Sequence, residues 1–499
     1  MTFLARLLGL RPSPPAPQLY PTDEVVPMHL FDNNSMMRSY DLFWTFRFEE
    51  VLDAEKLGSS LTHLVETGDW RKLGGRWRLN PDGNLEVHIP RPFTPQRPAI
   101  YFTQEHFDIN ISEHALASSF PKAGERAEIF PSAVNLAPLA YGPGAPRCID
   151  DYLRGDFPQL SLHVVTFQDA TLVSVNWNHA MTDLGGFAAI IKAWVACLNG
   201  KEPPPFMSMD DGMRCLYESP PEGQRPIIED MILSGWRKAS WIMWFLWDQV
   251  WTTTAFKSHT ICIPKHQMDV LLRNCRAEAA ELAATTGSDP FISEGDIAMS
   301  FAVRIAAWSL PVGSRRSVAA TGAVDARYRV QHLLCPDAAY VQNAPSGIVV
   351  MRRASDILNI SVGEQALGMR RDLAKQATEP QMRASAAMVA QILKDTGSLP
   401  PMGDASSFFT TCSNWSKSQL LEIMDFSAAV TTSRMANGVQ TAKTQGRPVF
   451  YHSRFLTMGT FSTCLLVVHG RDANGDMWMS GHSSPRAWEK LIIFINSQK

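Results

Sequence analysis

A histidine and a carboxylate, His179 and Asp183, stand four positions apart directly after an apolar stretch. Imidazole has an ordinary pKa near ~6.5, so at neutral pH it can accept a proton from a hydroxyl, amine or thiol and return it later. A carboxylate at this spacing can hold the loop or orient the ring. The pair is therefore a candidate general base with its support, and the plain alternative is a histidine satisfied in a buried corner.

The residues around this pair predict a strand that turns into a helix. Thr171 to Trp177 is rich in β-branched, aromatic and apolar residues, which favour a largely buried strand. Thr182 and Asp183 can cap a helix start, and the helical spacing of apolar residues begins at Phe187. Gly185 and Gly186 permit close backbone approach. His179 is thus expected at a corner, where its side chain can project into a cleft.

His179 to Asp183 resembles the HxxxD motif of the CoA-dependent BAHD acyltransferases. The surrounding sequence is most similar to the fungal branch of that superfamily, which includes trichothecene 3-O-acetyltransferases. HxxxD alone is common by chance, but the similarity continues in order along most of the chain. The further matching segments are LGGRWRLNPDGNLEVHIP at 73–90, ISEGDIAMSFAVRIAAW at 292–308, AVDARYRV at 323–330, YVQNA at 340–344 and CSNWSK at 412–417.

The resemblance implies an α/β fold of two similar chloramphenicol-acetyltransferase-like domains. Each would be a mixed β-sheet covered by helices, with the active-site channel between them. The expected divisions are a tail over 1–22, an N-terminal domain over 23–201, a crossover with a tryptophan-rich helix over 202–257, and a C-terminal domain over 258–499. A chain of 499 residues agrees with two domains.

The implied activity is transfer of an acyl group from acyl-CoA to a hydroxyl or amine of a small, secondary-metabolite acceptor. His179 would be the general base, and Asp183 would be structural, paired with an arginine that the sequence does not identify. Ser413 and Asn414 are candidate donors to the oxyanion, although the same residues also suit a turn before a buried tryptophan. No bound cofactor is expected, since acyl-CoA is a co-substrate.

The chain departs from the family pattern at the DFGWG loop. Asp425 and Phe426 are present, but Ser427, Ala428 and Ala429 stand where glycines would follow. A loop that used positive φ or close backbone contact cannot easily do so with Cβ atoms present. In the family this loop is mainly structural, so the change bears on local shape and CoA handling more than on His179.

Three other functions compete with acyl transfer from acyl-CoA. A covalent acyl-enzyme has little support, since the chain has no GxSxG elbow and no cysteine in a recognisable catalytic context. An acyl carrier protein is an alternative donor. A relic that binds or cyclises a terpenoid or polyketide without acyl transfer is the third, and the intact His179 and Asp183 count against it.

Composition narrows the class of protein. The net charge of −3 gives no basic excess for a nucleic-acid partner. Eight cysteines form no CxxC pair or regular framework, which argues against a zinc site or a disulfide scaffold and for a reduced, cytoplasmic setting. A monomer is expected.

Trp236 to Trp251 carries five tryptophans, mostly on one helical face, but its uncharged run is far shorter than the ~20 residues of a membrane span. We expect this helix to pack on the core or line a tunnel, with interfacial membrane contact as the alternative.

Overall fold

The computed structural model describes residues 17–131, 136–287, 289–432, 445–457 and 462–498. The strands of this part are β1 (Glu24–Pro27), β2 (Tyr40–Phe48), β3 (Val51–Leu52), β4 (Arg76–Leu79), β5 (Leu85–Ile89), β6 (Tyr101–His106), β7 (Glu128–Pro131), β8 (Ser161–Thr166), β9 (Thr171–Asn178), β10 (Lys257–Ile263), β11 (Ser317–Asp325), β12 (Pro345–Arg353), β13 (Phe408–Asn414), β14 (Val430–Thr432), β15 (Phe450–Thr457), β16 (Cys464–Arg471) and β17 (Met477–Ser483). The α-helices are α1 (Ser35–Ser39), α2 (Ala54–Glu66), α3 (Ala137–Ala140), α4 (Ile149–Arg154), α5 (Leu184–Leu198), α6 (Gly235–Trp251), α7 (Lys265–Thr286), α8 (Glu294–Ser309), α9 (Ala354–Asn359), α10 (Val362–Gln376), α11 (Glu379–Thr396), α12 (Leu420–Ile423) and α13 (Pro485–Ser497).

The N-terminal half is built on a mixed sheet in the order β15-β2-β9-β8-β6. Only the β6–β8 pair is parallel. Because side chains alternate along a strand, Trp44 and Phe46 of β2 face the same side as Val173 and Val175 of β9, and all four lie in one core cluster with residues of α2 and α5. Strand β15 joins this sheet although it comes from the C-terminal half.

The C-terminal half is built on a mixed sheet in the order β12-β11-β13-β16-β17-β10-β7. Its parallel pairs are β11–β13 and β13–β16. Helices α8, α10 and α13 contribute to the core cluster on one face of the sheet. Strand β7 comes from the N-terminal half, so each half supplies a strand to the sheet of the other. The expected α/β architecture of two halves, each a mixed sheet covered by helices, is confirmed.

Most predicted elements lie where the sequence placed them, with differences at boundaries. The helix that the spacing predicts over 360–377 is α10, which begins two residues later because Ser361 is extended and its hydroxyl accepts from the N–H of Glu364. Helix α9 is a separate short helix before this range. Of the predicted tail, residues 1–16 lie outside the described part, while the Tyr20 ring lies 3.9 Å from the Arg97 guanidinium. No helix in the described part is long and apolar enough to cross a bilayer.

The expectation that the tryptophan-rich helix packs on the core or lines a tunnel is wrong. Within α6 the buried residue is Asp248, whereas Trp236, Met243 and Trp251 are 75%, 73% and 68% exposed. The reason is that Asp248 and polar side chains near it attach the helix to the rest of the protein, while most of its large apolar side chains face outward.

Candidate active site

His179 occupies the corner between β9 and α5, as the sequence predicted. Its backbone N–H donates to the Tyr40 carbonyl at 2.8 Å, which continues the β2–β9 pairing by one residue. The Asn178 side chain closes the corner, because its Oδ1 accepts from the Ala180 N–H at 2.9 Å and its Nδ2 donates to Asp41 at 2.8 Å. Asn178 and Ala180 are fully buried while His179 is partly exposed. The corner therefore leaves His179 partly accessible, whereas its two neighbours are buried.

Asp183 caps α5 and holds the loop in place. Its Oδ1 accepts from the Gly186 N–H at 2.9 Å, and its Oδ2 accepts from the Ala344 N–H at 2.9 Å. The same carboxylate accepts both terminal nitrogens of Arg327, at 2.9 and 3.2 Å. The carboxylate thus joins the start of α5 to two segments of the C-terminal half.

Arg327 is the arginine partner that the sequence did not identify. It lies in the AVDARYRV segment, between Asp183 and Asp325, and it also donates to the Gln342 carbonyl at 2.6 Å. Gly185 is needed here, because a Cβ at that position would collide with the Arg327 guanidinium and the Asp325 carboxylate. The motif offers two arginines, Arg327 and Arg329, and only the fold distinguishes them.

Asn343 of the YVQNA segment contacts the His179 loop directly. Its Nδ2 donates to the His179 carbonyl at 2.9 Å and to Asp32 Oδ1 at 2.7 Å, and its backbone N–H donates to the same Asp32 oxygen at 2.8 Å. Sequence reasoning missed both residues' roles. Asp32 stands 311 residues before Asn343, and no spacing pattern connects them.

The electrostatics of the corner suit a neutral imidazole above an ionised carboxylate. Burial lowers the pKa of His179 below its ordinary value, although the nearby Asp183 charge acts in the opposite direction. Burial would raise the pKa of Asp183, but Arg327 and the N–H groups of Ala344 and Gly186 hold that pKa below the usual range. At neutral pH the imidazole can therefore accept a proton.

A cluster of buried ionisable residues that includes Asp32 and Lys72 lies behind Asn343. Burial raises the pKa of Asp32 to about 7 against the hydrogen bonds from Asn343, and burial lowers the pKa of Lys72 to about 8 against the charges of Asp32 and Asp211. The Lys72 ammonium also contacts the His29 ring at 2.7 Å. Of these residues, Asp32 is connected to the His179 loop, through Asn343.

Ser413 and Asn414, the two candidate oxyanion donors, point to opposite faces of the C-terminal sheet. Phe408 and Cys412 of β13 belong to the helix-covered core, so Ser413 lies on the other face by strand alternation. Its Oγ accepts the Trp415 indole N–H at 2.8 Å, and the hydroxyl hydrogen is not used by another described contact. Asn414 lies toward α8, where a Cβ on Gly295 would be 2.7 Å from its Nδ2.

The altered loop after Asp425 is well packed without its glycines. The Phe426 ring packs on Phe48 at 5.6 Å and on Trp194 at 4.6 Å between ring centroids. Ser427 to Ala429 form a single 3₁₀ turn, which needs no positive φ. The positive φ of +72° is instead at Gly446, whose backbone lies against Ser427.

Solved structures have the same architecture. TRI101 of F. sporotrichioides, solved with coenzyme A and T-2, superimposes with a TM-score of 0.62 over 94% of this chain and 96% of its own, at 15% identity. Vinorine synthase superimposes with a TM-score of 0.54 over 98% and 96% of the two chains, at 14% identity. The fold is that of the two-domain acyltransferases.

Sequence relatives identify the family within that class. The chain is 34% identical to the acetyltransferase adrJ of Penicillium roqueforti over 96% of each chain. It is 32% identical to the O-acetyltransferase PaAT-2 of Phomopsis amygdali over 94% of this chain and 97% of that one. No family model matches the chain. The protein belongs to this family of fungal acetyltransferases and is an acyltransferase.

Proposed function

We propose that the enzyme moves an acyl group from acyl-CoA to a hydroxyl, or an amine, of a small secondary-metabolite acceptor, with His179 as general base. The observation that carries the proposal is the way both halves hold the His179 loop. Arg327 and Asn343 of the C-terminal half reach Asp183 and the His179 carbonyl, while His179 as a residue stays partly exposed, with its Nδ1 buried. A side chain that served only to fill the corner would have no need of this exposure.

In the proposed reaction the acceptor oxygen attacks the thioester carbonyl carbon as His179 takes the hydroxyl proton. The tetrahedral intermediate then collapses, the C–S bond breaks, and the CoA thiolate leaves with the proton returned by the imidazolium. General-base help of this kind contributes roughly 10²- to 10⁴-fold to the rate. A lowered pKa keeps His179 unprotonated at neutral pH, so the base is ready before the acceptor binds.

Ser413 is the better of the two oxyanion candidates. Its hydroxyl lies on the sheet face away from the helices, and the Trp415 indole fixes the position of its oxygen while leaving its hydrogen free to donate. The Asn414 amide nitrogen, which would have to be the donor, instead lies against Gly295 of α8, while its oxygen accepts from Ser416. One oxyanion donor contributes about 2.7 to 4 kcal/mol to transition-state stability.

We also propose that the domains divide at 201–202 and 257–258 and that the protein is a monomer. A cytoplasmic setting is proposed because the eight cysteines form no regular framework. The coenzyme A donor is supported by the TRI101 structures, which were solved with coenzyme A. Transfer from a carrier protein remains the alternative donor, and binding without transfer remains the alternative function.

The test is a search for acylated product by mass spectrometry. The purified enzyme is mixed with acetyl-CoA and a panel of hydroxylated terpenoid and polyketide alcohols, while free thiol is followed in parallel. We expect stoichiometric release of CoA and a product heavier by one acetyl group. An acyl-phosphopantetheinyl carrier protein replaces acetyl-CoA in a second arm.

His179→Ala provides the mechanistic arm, with His63→Ala as the matched control, since His63 is an exposed histidine on α2. His179→Ala should reduce turnover by at least about 10²-fold with unchanged acetyl-CoA affinity. The control should match wild type. If His179→Ala folds normally and turns over as wild type does, the general-base mechanism is refuted.

A further inference from the structure

An ordinary surface helix buries its apolar side, whereas much of the apolar side of helix α6 is exposed. Its outward-facing stripe consists of Trp236, Met243, Leu246, Trp247, Val250 and Trp251, each between 48% and 75% exposed. Its inward side carries Asp248 and hydrogen-bonding polar side chains, together with the half-buried rings of Trp241 and Phe245. Soluble proteins rarely present a continuous apolar surface of this extent unless it is an interaction site.

The inward side is firmly attached, so the apolar stripe is held outward by specific contacts. Asp248 accepts both terminal nitrogens of Arg316 at 2.7 and 2.8 Å, and the guanidinium also lies 4.5 Å from the Trp244 ring centroid. Ser240 donates to the Ala405 carbonyl at 2.9 Å. Gln249 exchanges two hydrogen bonds with the backbone of Ser462, at 2.8 and 2.6 Å.

The chemistry of the stripe favours a lipid surface over a protein partner. Tryptophan suits the membrane interface, where its ring is buried and its N–H stays hydrated. The one acid of α6, Asp248, is buried against Arg316, so the remaining charges of the helix are basic. Lys238 is exposed, and Arg237 is half-buried and donates to the Gly403 carbonyl at 3.3 Å. Lys257 is exposed six residues beyond the helix. Basic charge beside an apolar stripe complements the anionic headgroups of a cytoplasmic leaflet.

The position of α6 leaves the candidate active site free. Arg316 precedes β11, whereas Arg327 follows the other end of the same strand. A strand of nine residues separates the two ends by roughly 27 Å at about 3.3 Å per residue. A surface docked on α6 would therefore not cover His179.

We propose that α6 docks the enzyme onto an anionic lipid bilayer, lying in the plane of the interface with its tryptophan stripe inserted among headgroups and upper acyl chains. The helix anchors the protein at the surface and does not cross the membrane. This interaction is independent of the acyl-transfer mechanism proposed for His179.

Co-sedimentation with vesicles tests the proposal on the full chain. Vesicles of phosphatidylcholine with one third phosphatidylserine should bind the wild type, and vesicles of phosphatidylcholine alone should bind it less. The variant W236Q/M243Q/W247Q/W251Q should bind anionic vesicles at least tenfold more weakly. The control L79Q/I493Q removes two exposed apolar side chains elsewhere and should bind as wild type does.

Two measurements accompany the sedimentation. Brominated phosphatidylcholine in the anionic vesicles should quench part of the tryptophan emission of the wild type, which needs no variant. The fourfold variant should keep its thermal unfolding midpoint and its turnover on a soluble acceptor.

Three results would each overturn the proposal. The wild type could bind neither kind of vesicle, or the fourfold variant could bind as the wild type does, in which case another surface is responsible. Alternatively, light scattering could show a concentration-dependent dimer, lost in the fourfold variant, without vesicle binding; the stripe would then be an interface between two copies.

Discussion

Two arginines of the C-terminal half pair with aspartates in the same geometry and in different surroundings. Arg327 engages both oxygens of Asp183 at 2.9 and 3.2 Å, and Arg316 engages both oxygens of Asp248 at 2.7 and 2.8 Å. Each joins segments that are distant in the chain, and each is largely buried. The first lies beneath His179, and the second lies beneath the exposed stripe of α6.

The difference between them shows what a buried ion pair contributes. Desolvation offsets much of the Coulomb attraction, so such a pair is weak evidence for stability but good evidence for a defined geometry. At Asp183 the geometry positions the loop of the proposed base, His179, and a second carboxylate, Asp325, shares the arginine. At Asp248 the geometry positions an apolar surface, and no second carboxylate contacts Arg316 among the described residues.

The largest effect is expected for Arg327→Met. Its removal leaves Asp183 and Asp325 as two buried carboxylates without their shared cation, so stability should fall by about 3 to 5 kcal/mol. Turnover should also fall, by about 10²-fold, because the His179 loop loses its attachment to the C-terminal half. Kinetics and thermal unfolding measure the two effects together.

Asp183→Asn serves as the milder companion to that substitution. Asparagine keeps the helix cap and Asp325 still neutralises Arg327, so both losses should be present but smaller. Equal or larger losses in Asp183→Asn would mean that Asp183 itself acts on the substrate and is not a positioning residue.

The sequence predicts the local parts of this corner and not the distant ones. His179, Asp183 and the glycines after them lie within eight residues, so their strand–helix context is readable from periodicity and capping. Asn343 and Asp32 converge from opposite ends of the chain through the fold alone. The exchange of β7 and β15 between sheets has the same cause, since strand pairing over such separations leaves no periodic signal.

Helix α6 illustrates a different limit. The spacing of its tryptophans predicts an apolar stripe, but periodicity does not say whether that stripe faces the core or solvent. The orientation of the helix depends on Arg316, which lies 68 residues beyond Asp248 in the chain and holds the Asp248 side of the helix inward.

Asp248→Asn should lower stability with little effect on chemistry. The amide would keep one acceptor oxygen but no negative charge, so Arg316 would remain buried without a carboxylate, beside the Ser406 carbonyl and the Trp244 and Phe408 rings. The unfolding midpoint should therefore fall. Turnover on a soluble acceptor should stay within about twofold of wild type, since the pair touches no part of the His179 loop. A loss of turnover as large as that of Arg327→Met would erase the distinction between the two pairs.

The smallest effect is expected for Ser427→Gly in the altered loop. The 3₁₀ turn already has ordinary φ angles, so glycine would add freedom to the unfolded chain and reduce stability by about 0.5 to 1 kcal/mol. Turnover should not change, because Phe426 keeps its packing on Phe48 and Trp194. A large change in turnover at constant stability would make the loop part of the catalytic apparatus.

The most direct test of the account is the pH dependence of the single-turnover acyl-transfer rate in wild type and His179→Ala. A general base must be unprotonated, so the wild-type rate should fall as pH drops through the pKa of His179. Burial lowers that pKa, and the fall should therefore come below the ordinary histidine value of about 6.5. His179→Ala should show a rate at least about 10²-fold lower at pH 7 without this fall, even though Asp32 and Lys72 still titrate nearby. A variant that keeps the wild-type rate and the wild-type pH profile would contradict the assignment of His179 as the base.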